Sequence, residues 1–207
     1  MDKHKERIID ESITMFMKHG VRSVTMDDIA KHCGISKRTL YESFKDKEDL
    51  LVNCVEKVHL TKKKQHEEIV AQSENVIEVL LNKIKQVMRE SAQFSPTFHQ
   101  EILKFYPAIA ALQEKYFQEF ASNEINRFIK KGVNQGLFRG DLNVDIVTSL
   151  LIGQIRFVFF ELLKNSKFTP GEVFKTTILC FARGIATKKG LEIIEDFEKN
   201  NLNSLTV

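Results

Sequence analysis

Glycine and proline are scarce in this sequence, nine and three in 207 residues. A β-rich chain needs both at its many turns, so the shortage argues against an all-β architecture and for helix throughout. Cysteine is also sparse. Cys33, Cys54 and Cys180 are odd in number, far apart and form no CxxC, which argues against a disulfide framework and fits reduced, mostly buried thiols. The start MDKHKERIIDES has no apolar h-region, so no signal peptide is expected. The most apolar stretch, IVTSLLIGQIRFVFFELL, contains Gln154, Arg156 and Glu161 and is shorter than the roughly 20 apolar residues that cross a bilayer. The expectation is a soluble cytoplasmic protein with no membrane partner. There is no glycine-rich phosphate loop and no nucleophile elbow, so no motif supports an enzyme and no cofactor is implied. His59 and His66 are seven apart rather than at the i, i+4 chelating spacing, and no metal site is expected.

What the chain does have is apolar residues, 43% of the total with sixteen phenylalanines, enough to bury a core without disulfides or metals. Residues 3 to 19 carry Ile8, Ile9, Ile13, Phe16 and Met17 at helical spacing, and Gly20 ends the run. Thr25 is a candidate N-cap, with Asp27 and Asp28 in the first turn where the helix dipole favours carboxylates. That helix stops at Gly34. Ser36 caps another short helix and Asp46 a third. Helices this short are marginal alone, since roughly 12 to 15 residues are needed in water. They must be held by packing, which Ile29, Ala30, Ile35, Leu40, Phe44 and Leu51 supply. The pattern is a helix-turn-helix.

Net charge is only +3, and over residues 1 to 50 the ten basic and ten acidic side chains cancel. Between residues 31 and 47, however, Lys31, Lys37, Arg38, Lys45 and Lys47 face only Glu42 and Asp46. A local basic patch on a neutral segment is a defined contact surface rather than a sticky tail.

Further helices are expected over about 75–93, after Ser95-Pro96, from Pro107 to Gly136, over about 144–164 and 170–187, and in a short tail from Leu191 to Glu198. The polar run from Thr61 to Ser73 continues the preceding helix as a connector. The helix over 144–164 is apolar nearly all round. Val147, Leu151, Ile155, Val158 and Leu162 make one stripe; Ile146, Leu150, Gly153, Phe157 and Phe160 make another. One face would pack on its own core and the other on a second copy, giving a homodimer through 144–164 and 170–187 as a four-helix bundle. A central helix in a monomer is the alternative.

TMDDIAKHCGISKRTLYESFKDKEDLL resembles the DNA-binding region of the TetR family of transcriptional regulators. The family pattern falls on Thr25, Ile29-Ala30, Gly34-Ile35-Ser36, Leu40-Tyr41, Phe44 and Lys47 to Leu50. The chain departs from it at Arg38, where glycine is often found, and at Ser43, where an aromatic or histidine is common. The likeness covers about the first fifty residues; beyond them only the helical layout corresponds.

The resemblance implies an all-α fold of about nine helices. A three-helix DNA-binding domain would span 1–50 and run into a connecting helix to about 72. A helical effector-binding and dimerisation domain would span 51–207. It also implies a double-stranded operator as partner. Thr25, Ser36 and Tyr41 would donate to phosphates that Lys37 and Lys47 neutralise, while Lys37, Arg38, Thr39 and Glu42 face the major groove, with Ser43 on the same DNA-facing surface. Arg38 suits either a bidentate contact to guanine or a contact to phosphate alone. In the family the C-terminal part takes a small molecule. Here Phe94, Phe98, Phe105, Phe117, Phe120 and Phe157, with Gln154, are candidates to line a site for a mostly apolar effector; plain core packing explains the same aromatics.

The expected function is thus a ligand-responsive repressor, binding a near-palindrome as a dimer. Two alternatives stay open: a DNA-binding regulator with no small-molecule effector, and a small-molecule-binding helical protein whose helix-turn-helix is only structural.

Overall fold

The computed structural model describes residues 3–91, 98–160 and 168–199. Ten α-helices lie among them: α1 Lys3–His19, α2 Met26–His32, α3 Lys37–Ser43, α4 Lys47–Gln72, α5 Val76–Ser91, α6 Phe98–Phe105, α7 Pro107–Asn134, α8 Val144–Phe160, α9 Pro170–Ile185 and α10 Lys188–Phe197. The polar run after Thr61 does continue α4, and the charged tail does form α10. Ser95 and Pro96, the expected start of α6, lie outside the described residues, as does Leu162.

Local chemistry sets most boundaries. Thr25 and Asp28 form a reciprocal capping box at the start of α2, and Thr169 and Glu172 form another at α9. Asn143 accepts from the Ile146 N–H to open α8, and Asp46 accepts from the Asp49 N–H at α4. Gly20, Gly34 and Gly136 end helices with positive φ, a region where a side chain is strained.

The chain divides into two compact units that are not consecutive in sequence. One comprises Met1–Lys64 with Gln93–Phe117, the other Gln65–Ala92 with Gln118–Val207. The first is built on Ile8, Phe16, Ile29, Leu40, Phe44 and Leu51, and its core also takes Ile102 of α6 and Ile109 of α7. A single boundary near residue 50 therefore leaves out part of this unit, because two helices more than forty residues downstream complete its core. Burial of these apolar side chains, worth about 1.5–3 kcal/mol each, holds helices too short to stand alone.

The second unit packs Ile77, Leu81 and Ile84 of α5 against Ile129 of α7, Val147 and Leu151 of α8, Phe174 and Ile178 of α9 and Ile194 of α10. The turn after α7 folds tightly onto that helix. The Phe138 ring occupies the space a Cβ at Gly132 would need, so position 132 accepts only glycine without repacking. Phe138 and Ala186 form an isolated antiparallel bridge, and the Thr187 hydroxyl donates to the Gly136 carbonyl at 2.8 Å.

Candidate nucleic-acid interface

The α2–α3 pair is fixed by main-chain bonds at its turn. Ile35 N–H donates to the Ala30 carbonyl at 3.0 Å, and Cys33 N–H to that of Ile29 at 2.9 Å. Ala30 and Cys33 are buried there, and burial pushes the Cys33 thiol up from its ordinary pKa. Ser36 caps α3, its Oγ accepting from the Thr39 N–H at 3.0 Å and lying 2.8 Å from the Thr39 hydroxyl. Leu40 and Phe44 point inward and are fully buried. Their spacing turns Lys37, Arg38, Tyr41 and Glu42 outward, where all four are exposed.

Both cations of this set already have partners. The Lys37 ammonium pairs with the Asp27 carboxylate of α2, and Arg38 Nε donates to Glu42 Oε1 at 2.9 Å. Tyr41 is half exposed with its ring outward. Ser36, Lys37, Arg38, Thr39 and Tyr41, five of the residues expected from the sequence, lie on α3 and its N-cap.

The other three expected residues are engaged inside the chain. The Thr25 hydroxyl donates to Asp28 Oδ2 at 2.6 Å, and the Thr25 N–H donates to the same oxygen at 3.0 Å. These two bonds hold the Asp28 carboxyl below the ordinary carboxylate range. Ser43 Oγ donates to the Thr39 carbonyl at 3.3 Å. The Lys47 ammonium donates to the Val21 carbonyl at 2.5 Å and lies 5.8 Å from the Phe16 ring centre. Burial lowers the Lys47 pKa against the opposing pull of Glu101 and Asp28. Sequence reasoning missed Asp27 as a partner of Lys37, and it missed Lys5, whose ammonium lies 4.9 Å from the centre of the Phe44 ring beside α3. The Arg38–Glu42 pair had a readable signal in its i, i+4 spacing.

The candidate effector residues divide between the units. Phe98, Phe105 and Phe117 belong to the first; Phe120, Gln154 and Phe157 belong to the second. Phe94 lies outside the described residues. Phe98 packs partly buried against the first unit's core, and Phe117 is also half-buried. Phe105 is exposed under the Arg22 guanidinium, 4.3 Å away. Gln154 and Phe157 are exposed on α8.

Phe120 meets the His66 ring edge-on at 5.0 Å, and His66 Nε2 lies 3.7 Å from Glu124. Burial, then the Lys83 charge, lowers the His66 pKa, with Glu124 pulling the other way. Beside them the buried Gln86 amide donates to Gln65 at 2.6 Å and Glu90 at 2.9 Å, and its oxygen accepts from Lys83. No group of three or more His, Cys, Asp or Glu among the described residues could hold a metal ion. No described helix is long and apolar enough to cross a membrane.

Residues 8–54 match the family described as bacterial regulatory proteins, tetR family. Two Bacillus subtilis (strain 168) proteins are similar. The HTH-type transcriptional regulator YerO is 48% identical over 56 residues, 27% of this chain and 19% of that one. The HTH-type transcriptional regulator YvaF is 29% identical over 191 residues, 89% of this chain and 95% of that one. Among solved structures, the transcriptional regulator FadR from Bacillus subtilis, in complex with stearoyl-CoA, superposes with a TM-score of 0.65 at 18% identity, covering 87% of this chain and 98% of that one.

Proposed function

We propose that this chain, which belongs to the tetR family of bacterial regulatory proteins, is a ligand-responsive repressor that binds a near-palindromic operator as a homodimer in the cytoplasm. The observation that carries the dimer is the outer face of α8. Ile146, Leu150 and Phe157 are 58%, 56% and 56% exposed in the single chain, at spacings that align them with Gly153 on one stripe. A row of large apolar side chains rimmed by polar groups belongs under a partner. A second copy offering the same stripe across a two-fold axis is the self-complementary solution.

Two α3 helices on such a dimer would enter successive major grooves about 34–36 Å apart. The capped α3 edge would then do two jobs. Ser36, Tyr41 and Lys37 would hold register on the phosphates, and Arg38 and Thr39 would meet base edges. That FadR binds stearoyl-CoA supports an effector with a long apolar part. Effector and operator would oppose each other through linkage, each lowering affinity for the other by the same factor. One observation favours a second reading, a regulator with no effector: the buried Gln86 amide is satisfied by its own chain.

The test is selection of duplexes from a random pool by the purified chain at two salt concentrations. Enrichment of a near-palindrome whose binding weakens with salt supports the reading. Compounds are then screened for release of that operator. A dimer that selects an operator no compound class releases supports the second reading, and a chain that selects nothing sinks both.

A further inference from the structure

The Arg38–Glu42 pair is built the wrong way round for a stability device. Arg38 is the second residue of α3, beside the positive end of the helix dipole, and Glu42 stands in the last turn beside the negative end. Among i, i+4 pairs the order acid-then-base is the stabilising one, and here the base comes first. Both side chains are open to water, Arg38 at 89% and Glu42 at 60%, so the pair covers no core.

Its chemical consequence is geometric. Arg38 spends Nε on Glu42 Oε1 at 2.9 Å. A guanidinium is planar, so fixing Nε fixes the direction of the fork made by its two terminal nitrogens. That fork is the part that spans guanine O6 and N7 end-on. Nothing comparable happens at Lys37, whose ammonium is a point charge that pairs with Asp27 without acquiring a direction.

We infer that Glu42 is a positioning residue for base readout: it orients Arg38 to read one guanine in each operator half-site. The inference rests on the proposal that α3 lies in the major groove, and it adds a specificity determinant that contributes no attraction of its own. As a carboxylate among phosphates, Glu42 weakens sequence-independent binding, and by ordering the Arg38 fork it strengthens discrimination. Removing it should therefore move the two quantities in opposite directions. Loss of a merely attractive contact would lower both.

The experiment runs the same random-duplex selection on the full-length chain and on Arg38→Ala, Glu42→Ala and Asp27→Asn, followed by affinities for the selected duplex and its single-base variants. The intact chain should prefer guanine at the Arg38 position by about 5- to 150-fold. Arg38→Ala should lose that preference. Glu42→Ala should cut it by about two- to twelvefold, the cost of ordering one flexible side chain, while binding an unselected duplex more tightly. Asp27→Asn removes the same charge from the neighbouring pair and should keep the guanine preference.

A Glu42→Ala chain with an undiminished guanine ratio overturns the inference. So does a Asp27→Asn chain that loses as much of it, since net charge would then be the cause. An operator whose bases are indifferent to Arg38→Ala overturns this inference alone. Failure of the intact chain to select any sequence overturns the groove-docking proposal as well.

Discussion

The Lys47 ammonium donates to the carbonyl of Val21, a fully buried residue, and lies 5.8 Å from the centre of the Phe16 ring. The first turn of α4 is thereby tied to the segment that follows α1. Lys47→Met keeps the apolar stem and removes the donor, leaving the Val21 oxygen unpaired. The expected loss is about 1–2 kcal/mol of stability, read from urea unfolding. Lys37→Met should behave in the opposite manner. Stability should stay within about 0.5 kcal/mol, while the salt slope of operator binding falls by about 0.9 for each subunit. If Lys47→Met leaves stability untouched and flattens the salt slope instead, Lys47 is a phosphate contact after all.

Most of the first three helices was legible because their boundaries are set by neighbours in sequence. Thr25 with Asp28, Ser36 with Thr39, and the glycines at 20 and 34 act over three or four residues, and a reader of the sequence sees both partners at once. The engagement of Lys47 was not legible, since Val21 lies 26 residues away. The place of α6 was hidden for the same reason. Ile102 completes a core begun by Ile8, and Glu101 accepts the Arg22 N–H at 2.8 Å across 79 residues of chain. Phe105 read as a ligand-lining aromatic because composition records that a ring is present and omits what covers it. In the structure the exposed ring has the Arg22 guanidinium 4.3 Å from its centre.

Acid should weaken the second unit through His66. Burial holds its folded pKa below the ordinary imidazole value of about 6.5. Between those two values the unfolded chain binds more protons than the folded one. The stability that neutral His66 contributes is thus complete above about pH 6.5 and is lost as pH falls through the folded value. Thermal midpoints at about pH 7.5 and about pH 5.5 check this. The intact chain should lose more on acidification than His66→Gln, which has no proton to gain. Equal losses would mean that His66 is solvated when folded.

Leu150→Glu places a charge in the middle of the exposed α8 stripe. Leu150 is already open to water in the single chain, so the fold should be kept within about 0.5 kcal/mol. A buried unpaired carboxylate at a two-fold interface, facing its own copy, costs far more. The variant should sediment as a monomer with an unchanged circular dichroism spectrum and a weakened hold on the operator, having lost the second head. A Leu150→Glu chain that remains dimeric would remove α8 from the interface.

Gly153 separates a packing role within the chain from a role between chains. Among the described residues, a Cβ built there meets nothing within 4 Å, so no described neighbour in the same chain needs a glycine. Glycine inside a helix costs about 0.5–1 kcal/mol relative to alanine, and in an isolated subunit that is a cost without a return. If two copies of α8 cross at this point, the missing side chain is what lets the backbones approach. Gly153→Leu should then raise helix stability at concentrations where the chain is monomeric, and weaken dimerisation in a sedimentation dilution series. A substitution that stabilises the monomer and leaves dimer affinity intact would move the crossing point away from Gly153. The carboxylate at 150 would still test the rest of the stripe.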